Sequence, residues 1–244
     1  MSPILQLFAL GATGWGDELL YGLVTTVQVA ILSFAFGVVA GLLGAVMKLS
    51  QNRIAYLFAH AYSVVFRAVP ELLIISVLYF GGSIAVASIL RPFGFKGYVD
   101  FSPVISGVTA LAIVTAAYAI EIFRGGILAV SPGQRDAAYA LGVSRLVTFF
   151  LIVLPQALRI SLPGLCNLWL TVLKNTALLS AIGVVDLLRA AYLGASATRD
   201  PLPFFSAVAV GYIFLTWLSM IVITRLEERT KRGYRHHANR GGRS

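Results

Sequence analysis

The sequence predicts an all-α membrane protein with five transmembrane helices. Four long stretches carry no charge at all: Leu19–Met47, Leu72–Leu90, Phe101–Ile120 and Pro201–Thr224. A fifth, Val147–Leu173, is apolar apart from Arg159. The whole chain of 244 residues is 58% hydrophobic and 12% charged. A bilayer core about 30 Å thick takes about 20 residues of helix, so each stretch can cross it. Core helices of soluble proteins are rarely apolar on every face for so long.

Each element has a local signal. The first span carries Gly37, Gly41 and Gly44, about one helical turn apart, a spacing that lets another helix approach closely. The second follows Pro70 and opens with Glu71; Gly81-Gly82 and then Arg91-Pro92-Phe93-Gly94 are expected to end it. Glu121 closes the third. Pro155 and Pro163 punctuate the fourth, which reads as an interrupted helix. Asp200-Pro201 opens the fifth, because the residue before a proline is pushed out of helical geometry. The chain divides into a periplasmic N-terminal segment (1–18), a membrane domain (19–225) and a basic tail (226–244).

Charge orients these spans. With the N-terminus outside, the inner segments hold Lys48, Arg53, Arg67, Arg124, Arg135, Arg145 and the seven cations of the last twenty residues, whereas the outer ones include Arg91, Lys96 and Arg199. Short cytoplasmic segments carry the Lys/Arg excess, so the N-terminus is expected outside and the C-terminus inside. The net charge of +9 is concentrated in the tail. No groove-reading motif accompanies it, which favours anionic lipid over nucleic acid as its partner. Residues 1–16 contain no Lys or Arg, so the charged start of a cleavable signal peptide is missing. Cys166 is the lone cysteine, and His60, His236 and His237 form no ligand cluster, so no metal is expected.

A polar segment, about 125–146, separates the third and fourth spans. Ala138 and Gly142 lie one helical turn apart, as do Asp136 and Ala140. Small residues on one side of a short helix make a surface that another protein can approach, and Gly142 is placed to end that helix. The ordered set Asp136-Ala137-Ala138, Gly142, Ile152 and Leu154-Pro155 resembles the signature loop of ABC-importer permease subunits, with Asp136 where Glu is usual. "FRAVPELLIISVLYFGG" and "LKNTALLSAIGVVDLLRAA" are similar to permeases for polar and basic amino acids, of the histidine/lysine/arginine type and its octopine and nopaline relatives.

That resemblance covers almost the whole chain. It implies the type I importer permease fold, with a cytoplasmic coupling helix between helices 3 and 4. Asp136, Ala137, Ala138 and Gly142 would dock on a dimer of ATP-binding subunits. A second homologous permease, in a heterodimer rather than a homodimer, and a periplasmic solute-binding protein would complete a bacterial inner-membrane importer. The chain has no G-x-x-x-x-G-K-[ST] loop for nucleotide phosphates. It is therefore expected to bind no cofactor and catalyse no reaction, with ATP and magnesium on the partner.

Ionisable groups within spans are costly and mark candidate pathway residues: Glu71, Glu121, Lys174 and Asp186, with Asn175 beside Lys174. Ion pairs are the competing explanation, Arg67 with Glu71 and Arg124 with Glu121. Lys174-Asn175 lies between two apolar runs and suggests a helix break facing a cavity, where transporters build substrate sites. Relatives often carry Asp at the Asn175 position, so a negative charge is missing here. The alternative functions are a secondary amino-acid transporter driven by an ion gradient and a membrane-embedded enzyme. The chain lacks H-E-x-x-H and G-x-S-x-G motifs for the latter.

Overall fold

The structure, a computed structural model, describes residues 6–11, 14–94, 97 and 102–238, with side chains as far as 228. Lys96, Arg240 and Arg243 lie outside the described residues. The helices are α1 (Gly16–Lys48), α2 (Arg53–Ala68), α3 (Glu71–Ser76), α4 (Gly82–Leu90), α5 (Pro103–Leu128), α6 (Pro132–Ala140), α7 (Arg145–Thr148), α8 (Leu154–Asn175), α9 (Leu187–Thr198) and α10 (Pro201–Ala238). Among the described residues, five continuous helical segments are long and apolar enough to cross a membrane: Gly16–Lys48, Glu71–Phe93, Pro103–Leu128, Arg145–Ile182 and Pro201–Glu228.

The bundle is built on α1 against α5. Small residues make this possible: a Cβ on Gly37 would lie 2.5 Å from Thr115, and one on Gly41 would lie 2.4 Å from Ala119. The glycine spacing seen in the sequence is therefore a helix–helix seam. Without a solvent-driven hydrophobic effect inside a bilayer, such close backbone packing is what holds helices together. A second seam joins α5 to α8, where Gly126 meets Ser161 and Gly164 meets Ile122. At one end of the bundle, α9 packs under α1 and α10, with Phe204 fully buried against Gly194.

Four expectations are corrected. Gly81-Gly82 does not end the second span; a π turn at Val77–Gly81 absorbs the change and the helix continues to Leu90. Pro155 and Pro163 do not interrupt the fourth. Pro155 sits in the first turn of α8, directly after a π turn at Phe149–Val153, where a missing N–H costs little. The change of winding comes instead at Asn175, after which Thr176–Ile182 runs as a 3₁₀ helix. The tail is not separate from the fifth span either, because α10 runs on to Ala238.

Finally, residues 53–68 are no simple connector. The Tyr62 hydroxyl donates to the Ile113 carbonyl at 2.8 Å, and Ser63 lies 3.0 Å from Glu121. Ile113 is ten residues into α5, so α2 runs into the apolar layer beside it. Glu71 consequently stands beside the middle of α5 rather than beside its end.

Candidate functional site

Two helix breaks meet at the middle of α5. Val69 has an extended backbone, as a residue before proline must. The break ends α2, and Glu71 starts α3. Asn175 is the last residue of α8 before the 3₁₀ segment. The two residues are far apart in sequence, yet the Asn175 amide donates to the Glu71 carboxylate. Leu111, Val114, Thr115 and Tyr118 of α5 line one side of the cleft around them, and Thr171 of α8 lines the other. These α5 residues lie about halfway between Pro103 and Leu128. The cleft is narrow, with room for about one water molecule, and is bordered by the exposed Tyr118 and Thr171.

Glu121 belongs to a different cluster. It accepts from Lys48, which is 7% exposed, and from Ser63, and its other oxygen accepts from Arg124 Nε at 3.1 Å. Arg67 Nη2 stands 3.6 Å away. Arg67 therefore pairs with Glu121, not Glu71, while the expected Glu121–Arg124 pair forms. Three cations on one carboxylate tie α1, α2 and α5 together and leave a local excess of positive charge. A half-buried carboxylate so fully engaged is a structural tie, and Glu121 is not brought to the Glu71–Asn175 cleft.

The remaining pathway candidates are elsewhere too. Lys174 is exposed toward α10, beside Tyr212, Thr216 and Trp217. Asp186 is 1% exposed at the N-terminus of α9, where its Oδ1 accepts from the Arg189 N–H at 2.9 Å. It caps a helix and lines no passage. Its Oδ2 has no hydrogen-bond partner among the described residues, and burial pushes its pKa up to about 6.

The polar segment folds as α6. Pro132 occupies its first turn. Gly142, at φ +77°, ends it with a Schellman pair: Val143 N–H to Ala138 O and Gly142 N–H to Tyr139 O. Arg135 Nη2 donates to the carbonyls of Ile127 and Val130 at 3.1 and 3.4 Å, fastening α6 to the C-terminal end of α5. Asp136, Ala137 and Gly142 are exposed, as is Leu141 at 83%. Ala138 is only 3% exposed and packs inward, so the expectation that it faces a partner is corrected: it seats α6 on its own subunit. Tyr118, Thr171 and Ser63 were missed by sequence reasoning. Thr171 had a signal, since it precedes Asn175 by one helical turn. Tyr118 and Ser63 had none, because only the fold brings them to a carboxylate.

Residues 34–232 match the family described as the binding-protein-dependent transport system inner membrane component. The chain belongs to this family. It is a multi-pass permease subunit of the inner membrane. The octopine transport system permease protein OccQ of Agrobacterium tumefaciens (strain Ach5) is 39% identical over 93% of this permease and 96% of its own length. The histidine/lysine/arginine/ornithine transport system permease protein HisQ of Escherichia coli (strain K12) is 36% identical over 88% and 94%. A crystal structure of an amino acid ABC transporter with histidines superposes with a TM-score of 0.76 at 32% identity, over 88% of the permease and 95% of that chain. The MetNI methionine ABC transporter, inward facing, shares the fold at 18% identity and a TM-score of 0.71. The permease thus has the type I importer fold, and membership of this family replaces the alternative of an ion-gradient carrier.

Proposed function

We propose that this permease imports a basic amino acid or an opine by alternating access, and that Glu71 with Asn175 is its intramembrane solute site. The single observation that carries this reading is a carboxylate held where two helix breaks meet, beside the middle of the apolar helix α5. Unpaired backbone at membrane depth is tolerated only where it lines a cavity or is buried in protein, and transporters place their sites there. Asn175 holds Glu71 in the narrow cleft; separating α3 from α8 frees the carboxylate for the cationic group of a solute. The relatives named for octopine and for histidine, lysine, arginine and ornithine support that solute class.

The energy comes from ATP and magnesium bound on separate subunits that dock against Asp136, Ala137, Leu141 and Gly142. Arg135 makes α6 rigid with α5, so motion of a docked ATPase is passed to the helix that lines the cleft. One cleft wall is exposed in this chain, which supports a second permease subunit, with a sister chain preferred, and a periplasmic solute-binding protein above it. The basic end of the chain, with α6, faces the cytoplasm.

The test is Glu71→Gln in the assembled transporter. Uptake of a cationic amino acid or opine is expected to fall at least tenfold, with the ATPase still bound. Unchanged uptake kinetics would remove Glu71 from solute recognition.

A further inference from the structure

Helix α8 carries a polar face that the packing leaves open. At about 100° per residue, Arg159, Pro163, Asn167, Thr171 and Lys174 fall within about one third of its circumference, and all five are exposed. Ile160 and Leu170 share that arc, and most of the opposite side of α8 packs against other helices. Ala157, Leu168 and Val172 pack with the α5 residues Ile127, Phe123 and Ala119. Leu173 packs against Ala30 and Leu215. Arg159 and Asn167 make no side-chain hydrogen bond or ion pair among the described residues. Pro163 adds a backbone acceptor to the same face, because it has no N–H for the carbonyl of Arg159. Polar side chains and an open carbonyl are expensive against hydrocarbon, so this face needs water or protein over it.

The position of the face says where it leads. Thr171 already lines the Glu71–Asn175 cleft. Ser161, two residues from Arg159, donates to the Ile122 carbonyl at 3.3 Å and meets Gly126. Arg159 is therefore level with the end of α5 that joins α6. The polar face runs from the cleft, through Asn167, to that end of the bundle.

We propose that Thr171, Asn167 and Arg159 form this subunit's wall of a water-filled exit passage for a polar, carboxylate-bearing solute, with Arg159 at the mouth and a second permease subunit as the opposite wall. The inference rests on the importer reading and extends the site from a single cleft to a route. The exposed face of α10 differs in kind: Val210, 65% exposed, stands among Ile213, Phe214 and Trp217, each at least half exposed.

The experiment uses the complete transporter in inside-out vesicles. Asn167→Cys and Thr171→Cys are treated with a membrane-impermeant, cationic methanethiosulfonate, with Val210→Cys as the lipid-facing control. The unsubstituted chain is the baseline, since its Cys166 is buried. Labelling at 167 and 171 is expected at least tenfold faster than at 210, with solute slowing it at 171. Equal rates at the three positions, in vesicles that retain ATP-driven release of solute enclosed with its binding protein, would overturn the passage alone. Fast labelling at 167 and 171 in vesicles from which ATP drives no release of any enclosed basic amino acid or opine would overturn the importer reading and leave the passage standing.

Discussion

Gly142 holds φ at +77°, where any other residue pays about 1 kcal/mol for its Cβ. A Cβ there meets nothing within 4 Å in this chain. The two substitutions Gly142→Ala and Gly142→Arg therefore separate two effects. Alanine reports the backbone cost alone, and a modest loss of ATPase co-purification is expected. Arginine adds bulk that only a docked partner can feel, and uptake is expected to vanish while the permease stays in the membrane. Loss of the arginine variant from the membrane would assign Gly142 to folding instead. Asp186 makes a pH prediction. Its pKa in the fold, about 6, lies above the unfolded value of 3.8, so burial favours the neutral acid. Stability then falls as pH rises from about 4 to about 6, by on the order of 3 kcal/mol. Asp186→Asn should flatten the thermal stability of the purified protein across that window; an unchanged pH profile would show that Oδ2 has found a partner.

At the scale of elements, α1 and α5 depend on one another through absent side chains. A leucine at Gly41 must displace Ala119, whose Cβ would be 2.4 Å from the new atom. Overpacking typically costs about 1–3 kcal/mol, and a rigid seam between two backbones has little room to yield. Gly41→Leu is expected to abolish recovery of monodisperse protein from detergent. Gly125→Leu, whose Cβ meets nothing, should be recovered normally. Comparable yields from both would show that α1 and α5 do not pack through this seam. The same scale explains what sequence could see. The spacing of Gly37, Gly41 and Gly44 announced a close helix contact, but the identity of the partner depended on how the spans assemble. Pro163 looked like an interruption, yet the helix runs through it, because a proline is tolerated inside a span when its neighbours accommodate the freed carbonyl.

At the scale of the whole molecule, the bundle has two ends of different character. Lys48, Arg67, Arg124 and Arg135 gather at the end that carries α6, and α10 extends beyond its span toward Ala238 on the same side. The opposite end carries α9 and Arg199. If the first end is cytoplasmic, a cysteine replacing Arg199 should react with an impermeant thiol reagent in spheroplasts, and one replacing Asp136 should react only after lysis. The reverse pattern would invert the molecule and move the proposed ATPase contact outside the cell.

The five spans, the polar segment between the third and fourth, and the family were all readable from residue order. Long apolar runs, loop charges and the Asp136-to-Pro155 spacing are local properties, and a bilayer leaves few alternatives for backbone that must satisfy its own hydrogen bonds. The site was half readable: Glu71 and Asn175 stood out as polar groups in apolar runs, as did Glu121, Lys174 and Asp186. Only tertiary structure sorted them. A charge inside a span must find a counter-charge, a cap or water. Which of these it finds depends on helices distant in sequence: Lys48 and Ser63 for Glu121, the start of α9 for Asp186, and Asn175 for Glu71. The inward turn of Ala138 was decided in the same way, by the hydrogen bonds of Arg135 to the end of α5, which no spacing within α6 could reveal.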